Sequence, residues 1–396
     1  MSSNAHEPPK SAAVVIIGGG VIGTAIAYFL AGAGVEVCLL ERRDIGAGTT
    51  SAAAAAALLQ TKTSAKKLAL ASRSLALLDE LAEQLDHCFE YEHSGSLLVA
   101  NSEAEMDVVK NMAVTLQTLG LDVQWVAGDE ARSMMPVLGP TIIGASYSPR
   151  DATINPLKLV LAYADAARRM GAKICTFTAV TGIETVGDRI LAVLTHKGRI
   201  YTDTVVNAAG VWAPQLARLV GLDLPVAPLK GELLVTEPMP PMMRGTLIAA
   251  KYLLSKAQLE QTDGGETPKR SAGITLVQVE RGNFIVGSTR EQAGFDRRST
   301  YAGIREVSWQ LLELTPALAN VHLIRAYAGL RPITPDGLPI IGRAPELPGF
   351  IMAAGYGGDG LVLSAVTAEI ISTIMLKGTV APDTLAPFSY DRFTTS

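Results

Sequence analysis

The apolar positions of this chain form runs of two kinds, and the first run is the most informative. Residues 13–17 read Ala-Val-Val-Ile-Ile without a polar position, as a strand covered on both faces of a parallel sheet must. Gly18-Gly19-Gly20-Val21-Ile22-Gly23 follows, then an apolar stretch over 24–31, then Val35-Glu36-Val37-Cys38-Leu39-Leu40-Glu41, which reads as a second strand. Further along, the spacing predicts helices over 66–85, 103–119, 157–170 and 301–314, with Pro156 suited to a first helical position, and a closing helix to Met375. Residues 92–100 read as a turn into a strand, and further strands are predicted over 123–126, 173–178, 180–186, 189–194, 202–206, 229–235, 274–279, 283–287, 321–327 and 350–354. The six alanines at 52–57, behind Thr49, Thr50 and Ser51, predict a capped helical run.

The glycine turn carries the first chemistry. Gly18 allows a sharp turn, Gly20 lets bare backbone approach a pyrophosphate, and Gly23 lets the helix press on the sheet. The anion then sits at the positive end of the helix, beside Val21 and Ile22. Glu41 ends the second strand where a carboxylate can accept hydrogen bonds from both hydroxyls of an adenosine ribose, and no arginine replaces it to favour a 2′-phosphate. Asn207-Ala208-Ala209-Gly210-Val211-Trp212 puts small residues at a strand end, where a ligand can lie over thin backbone. A second glycine-rich strand-to-helix turn, Gly355 to Leu361, lies near the end of the chain. A nicotinamide enzyme has no use for it, whereas a larger dinucleotide must be gripped at both ends. The last helix would then offer its amide dipoles to an isoalloxazine ring.

Composition narrows the partners. At 396 residues the chain suggests two or three domains, and 48% hydrophobic with 18% charged residues describes a globular protein. A formal net charge of -4 supplies no field for nucleic acid, so anionic ligands must be held by individual cations. Cys38, Cys88 and Cys175 have no metal spacing and no iron–sulfur pattern, which fits a reducing cytoplasm and predicts no metal. The polar first ten residues, with Pro8-Pro9, read as a frayed leader without secretory features. Residues 14–40 imitate a membrane span, but their glycines and Glu36 argue for the dinucleotide fold. Any membrane association is expected to be peripheral, at the inner membrane through electron-acceptor partners. His87, His93 and Trp125 read as packing or surface residues, and 260–273 as a mobile loop between strands.

These motifs together resemble the D-amino-acid oxidase (DAO) family of flavoproteins. The matching pieces are Gly18 to Gly23 with Glu41, Gly48-Thr49-Thr50-Ser51, Asn207 to Trp212, Gly329-Leu330-Arg331-Pro332 with Asp336-Gly337-Leu338-Pro339 and Gly342, and Gly355 to Gly360, in the family's order. Gly287-Ser288-Thr289-Arg290 and the Asp359-Gly360 ending are most similar to the branch with D-hydroxyproline dehydrogenase, opine oxidase, hydrogen cyanide synthase and glycine oxidase. The resemblance implies an α/β protein. A Rossmann-like FAD-binding domain would be built from residues 11–88, 147–225 and 323–390, and an α+β substrate domain on an antiparallel sheet from 89–146 and 226–322. It implies FAD held by Gly18, Gly20, Val21, Ile22, Gly23, Glu41, Arg42, Thr49, Thr50, Ser51, Val180, Ala208, Ala209, Gly210, Trp212, Arg331, Gly357, Gly358, Asp359, Gly360 and Leu361. Arg331 matches the arginine that pairs with the substrate carboxylate, and Tyr252, beside Lys251, falls near a substrate-contacting aromatic.

The implied reaction is oxidation of the C–N bond of a small amino or imino acid by hydride transfer to flavin N5, giving an imine that hydrolyses. Orientation supplies most of the help, so no acid or base pair is required. A structural ion pair remains the plain alternative for Arg331. Two other functions stay open from the residues: a nicotinamide dehydrogenase, which a yellow purified protein would exclude, and a flavin-binding subunit that mainly relays electrons. In the second case partner subunits would carry further cofactors. Homo-oligomers are compatible with either.

Overall fold

The first apolar run becomes the centre of a six-stranded sheet. In the computed structural model, which describes residues 7–62, 64–254, 270–378 and 385–393, strand β1 (Val14–Ile17) pairs in parallel with β2 (Val37–Leu40) and with Val205–Asn207. The strand order is Ile340–Ala344, Leu347–Ala354, Val205–Asn207, β1, β2, Lys173–Cys175, parallel except for the antiparallel edge strand Ile340–Ala344. Side chains of β1 alternate: Val14 and Ile16 enter one core, Val15 and Ile17 the other. Helix α1 (Val21–Gly32) packs with Pro156–Arg169 and the closing helix Ser364–Lys377 in the first core. The antiparallel strands Val180–Val186, Arg189–Thr195 and Gly198–Tyr201 contribute to the second. Both faces are covered, which is why β1 carries no polar residue.

A second sheet has eight strands in the order Leu323–Ile333, Ala227–Pro238, Asn283–Glu291, Arg270–Gln278, Thr246–Ala249, Ser96–Ala100, Gly144–Ser148, Gln124–Ala127. It is antiparallel apart from one parallel pair, Thr246–Ala249 with Ser96–Ala100. Helix Tyr301–Leu314 covers it through Val307, Leu311 and Leu314. Helix starts follow side-chain chemistry: Ser64, Ser102, Asn155 and Thr300 each accept a first-turn amide.

Three expectations need correction. Residues 323–333 do not open a third piece of the dinucleotide domain: they pair along their length with Ala227–Pro238, so the chain leaves the larger sheet only after Ile333. The six alanines are not a helix. Thr50–Ala52 is a short 3-10 turn, and Ala56–Ala57 is extended and paired with Ala152–Thr153. Tertiary contact overrides propensity there, because Gly329 of the larger sheet lies so close to Ala52 that an added Cβ would stand 2.6 Å from the Ala52 Cβ. The loop expected over 260–273 is already strand from Arg270, while 260–269 lie outside the described residues, as do residues 1–6 of the leader. No helix among the described residues is long and apolar enough to cross a membrane.

Gly23 fixes how α1 meets the sheet, since a methyl group there would overlap the Gly18 carbonyl oxygen, which is backbone and cannot swing aside. Gly23→Ala is expected to cost on the order of 1–3 kcal/mol by overpacking. Thermal or denaturant unfolding reads this directly, and an unchanged midpoint would show that α1 relaxes without loss.

Candidate active site

A cavity of about 440 Å³ is walled by both sheets and their loops. One end is set by Glu41, Arg42 and Val180. The Glu41 carboxylate already accepts two backbone amides, from Gly19 at 2.8 Å and from Arg43 at 2.8 Å, which fix it at the end of β2 with lone pairs remaining for hydroxyl donors. The Arg42 guanidinium stacks 4.0 Å over the ring of Trp212, which in turn stacks on Phe295. Burial pushes the Arg42 pKa down, against the pull of Glu41.

The middle of the cavity is backbone. Gly18, Gly20, Val21, Ile22, Thr49, Thr50, Ala208, Ala209 and Gly210 all line it. An added Cβ at Gly20 would come within 3.3 Å of the Thr50 hydroxyl, and one at Gly18 would strike the Ala208 carbonyl. The start of α1 is less open to an anion than its sequence suggests, because the Val21 amide donates to Thr50 Oγ1 at 3.1 Å and the Gly19 amide is held by Glu41. Two expected residues do not reach the wall. Gly23 is buried against Gly18, and Ser51 donates its hydroxyl back to the Gly48 carbonyl at 3.1 Å.

At the far end Gly357, Gly358, Asp359, Gly360 and Leu361 meet Arg331 and Tyr252. Arg331 comes from strand Leu323–Ile333, with the glycine Gly231 of the neighbouring strand directly beneath its guanidinium; any side chain there would displace it. Its Nη1 donates to the Thr289 carbonyl at 3.2 Å and its Nη2 to the Ser288 hydroxyl. Both partners are neutral. No carboxylate among the described residues pairs with Arg331, so a structural ion pair is not its role. Deep placement first, then the charge of Arg290, push its pKa down to about 10, while Tyr252 acts in the opposite direction. Its remaining accessible surface faces the cavity. Tyr252 stacks under the Arg290 guanidinium at 4.4 Å, whereas Lys251 points elsewhere and pairs with Glu313 at 3.0 Å.

Sequence reasoning missed Lys62. Its ammonium lies 2.6 Å from Asp359 Oδ1, its side chain is 2% exposed, and it lines the cavity with Thr61. A lone lysine after an alanine run carries no motif, and its partner is 297 positions away. Ser288 was likewise noted only inside a family motif. Among the described residues the histidines do not line the cavity: His93 pairs with Asp79 at 2.7 Å on the surface, and the described residues contain no cluster of three metal-type ligands.

The cavity therefore offers an acid for a ribose at one end, glycine backbone along its length and a guanidinium at the other. That donor set fits FAD. The chain matches the family model described as DAO, FAD dependent oxidoreductase, over residues 13–374. It is 32% identical over 387 residues to the glycine oxidase of Geobacillus kaustophilus, covering 96% of both chains. It is 32% identical over 330 residues to the hydrogen cyanide synthase subunit HcnC of Pseudomonas aeruginosa, covering 82% of this chain and 74% of that one. Among solved structures, the L-proline dehydrogenase from P. horikoshii superposes with a TM-score of 0.87 at 28% identity, covering 98% of each chain. By its sequence, its fold and the cavity between its sheets, this chain belongs to the DAO family of FAD-dependent oxidoreductases.

Proposed function

We propose that this enzyme oxidises the C–N bond of a small amino or imino acid whose carboxylate is held by Arg331. One observation carries the reading: a guanidinium deep in the protein, bonded only to neutral oxygens, faces a cavity. Holding such a cation in a largely enclosed cavity wall without a counter-charge is costly, and a ligand carboxylate in a forked pair offsets that cost. Ser288 and the Thr289 carbonyl fix the plane of the fork, so the carboxylate arrives in one orientation. Tyr252 closes the same end, and its ring limits the bulk of the substrate. Bound FAD supplies the two-electron acceptor for the hydride leaving the substrate carbon. The remaining work of the chain is placement: the amine must be held with its α-hydrogen aimed into the cavity, and the imine formed hydrolyses in water.

The glycine oxidase relative and the L-proline dehydrogenase neighbour support amino- and imino-acid substrates, and within that class the D-amino acid, hydroxyproline, glycine and opine types are the candidates. A second reading, a flavin subunit relaying electrons to partners, is favoured by one surface. Helix Tyr301–Leu314 presents Tyr301 at 80% and Trp309 at 69% exposure, a face suited to another chain, and HcnC is itself named a subunit.

Anaerobic mixing of the isolated, FAD-loaded chain with glycine, proline, hydroxyproline, opines and D-amino acids is expected to bleach the flavin with at least one carboxylate-bearing amine. No bleaching with any of them would favour the relay. Arg331→Ala is expected to weaken that substrate about 100-fold or more, the scale of losing one partner of a buried charge pair, while FAD stays bound. An unchanged apparent affinity would refute the anchor.

A further inference from the structure

Lys62 and Asp359 line the FAD cavity and, with Lys67, form an unbalanced charge cluster. Lys62 Nζ sits 2.6 Å from Asp359 Oδ1 and Lys67 Nζ 3.6 Å from Asp359 Oδ2, with both lysine side chains under 10% exposed at 2% and 7%. Two ammonium groups thus share one carboxylate. Lys62 also interacts electrostatically with Asp151, which is fully enclosed and bonded to the Leu59 amide at 2.7 Å and the Ser96 hydroxyl at 2.6 Å. Burial pushes that group's pKa up, although Ser96, Leu59 and Lys62 oppose the shift. Within the ion-paired cluster itself, two ammonium groups face the single carboxylate of Asp359, a surplus of positive charge set by the geometry. Asp359 lies in the turn that leads into the closing helix Ser364–Lys377, so the amide end of that helix adds potential of the same sign.

A surface pair of this kind would be screened by water, but this one is enclosed and faces a redox group. Fixed positive charge beside such a group favours its more negative, reduced form, and the effect is larger where water is excluded. Asp359 moderates the field, because each carboxylate oxygen holds one lysine.

We propose that Lys62 tunes the bound FAD, raising its reduction potential through the surplus charge that Asp359 only partly neutralises. The inference depends on FAD binding and is independent of which amine is the substrate. A tie that merely fastened residue 62 to the last glycine turn would make loss of either partner act alike. An electrostatic role makes the two losses act in opposite directions.

The test is the midpoint potential of the FAD-loaded full chain, measured by chemical reduction against a reference dye without substrate. Lys62→Met is expected to lower the equilibrium constant for reduction at least tenfold, about 30 mV for a two-electron couple, and Lys62→Arg to restore it. Asp359→Asn, nearly the same shape, is expected to raise it. Should Lys62→Met fail to retain FAD, Asp359→Asn decides alone: a rise supports the proposal, and no change or a fall overturns it. Shifts of the same sign in both variants, or loss of FAD from both, would also overturn it and leave a structural tie. Because no substrate is present, a failed amine screen does not bear on this result.

Discussion

Backbone can reach a bulky ligand only where side chains are missing, and that steric condition shapes this molecule more than any single bond. At Gly18, Gly23, Gly231 and Gly329 an added Cβ would collide with backbone, a guanidinium or a neighbouring Cβ. Each marks a place where two elements touch at the closest approach that polypeptide allows. Gly18 and Gly23 seat α1 on the sheet, Gly329 presses the larger sheet on the turn at Ala52, and Gly231 gives the Arg331 fork its floor. The cavity is what remains between surfaces held this close.

The same constraint welds the two sheets into one site. Thr49 donates to the Leu330 carbonyl at 2.9 Å, so the residue before Arg331 is fastened to the turn that lines the middle of the cavity. Arg331, the proposed carboxylate anchor, is thereby held at a fixed distance from the glycine turn of the other sheet. Such precision is needed when catalysis rests on orientation, where misplacement of about an ångström is expensive. The alanines at 52–57 follow from this arrangement: they are small so that strand and cavity can both come near, and not because the segment is helical.

Periodicity and local chemistry made much of this legible. The opening strand, turn and helix, the longer helices and the glycine ending at 355–361 all declare themselves within a few residues of sequence. Features that depend on distant contacts do not. Nothing near residue 62 announces a partner at 359, nothing at Thr50 shows that its hydroxyl takes the Val21 amide, and nothing in the alanine run betrays the pressure of Gly329. Strand Leu323–Ile333 runs past the predicted 321–327 because Gly329 and Pro332 give its later residues the look of a turn until the pairing with Ala227–Pro238 is seen. Misreadings gather where the sheets meet, which is also where the chemistry is.

Charge follows the same division between local and distant information. The chain is acidic overall at -4, so no long-range field draws an anionic ligand in. Yet its cavity gathers Arg42, Lys62 and Arg331 along one wall or another, against Glu41 and Asp359. Each acid has a specific task, Glu41 being fixed by two amides and Asp359 by two lysines. What they leave uncompensated is cationic, and it is enclosed, where salt screens it least. FAD and a carboxylate-bearing substrate would each meet part of that surplus, so the proposed recognition is a matter of individual placed cations and not of net charge.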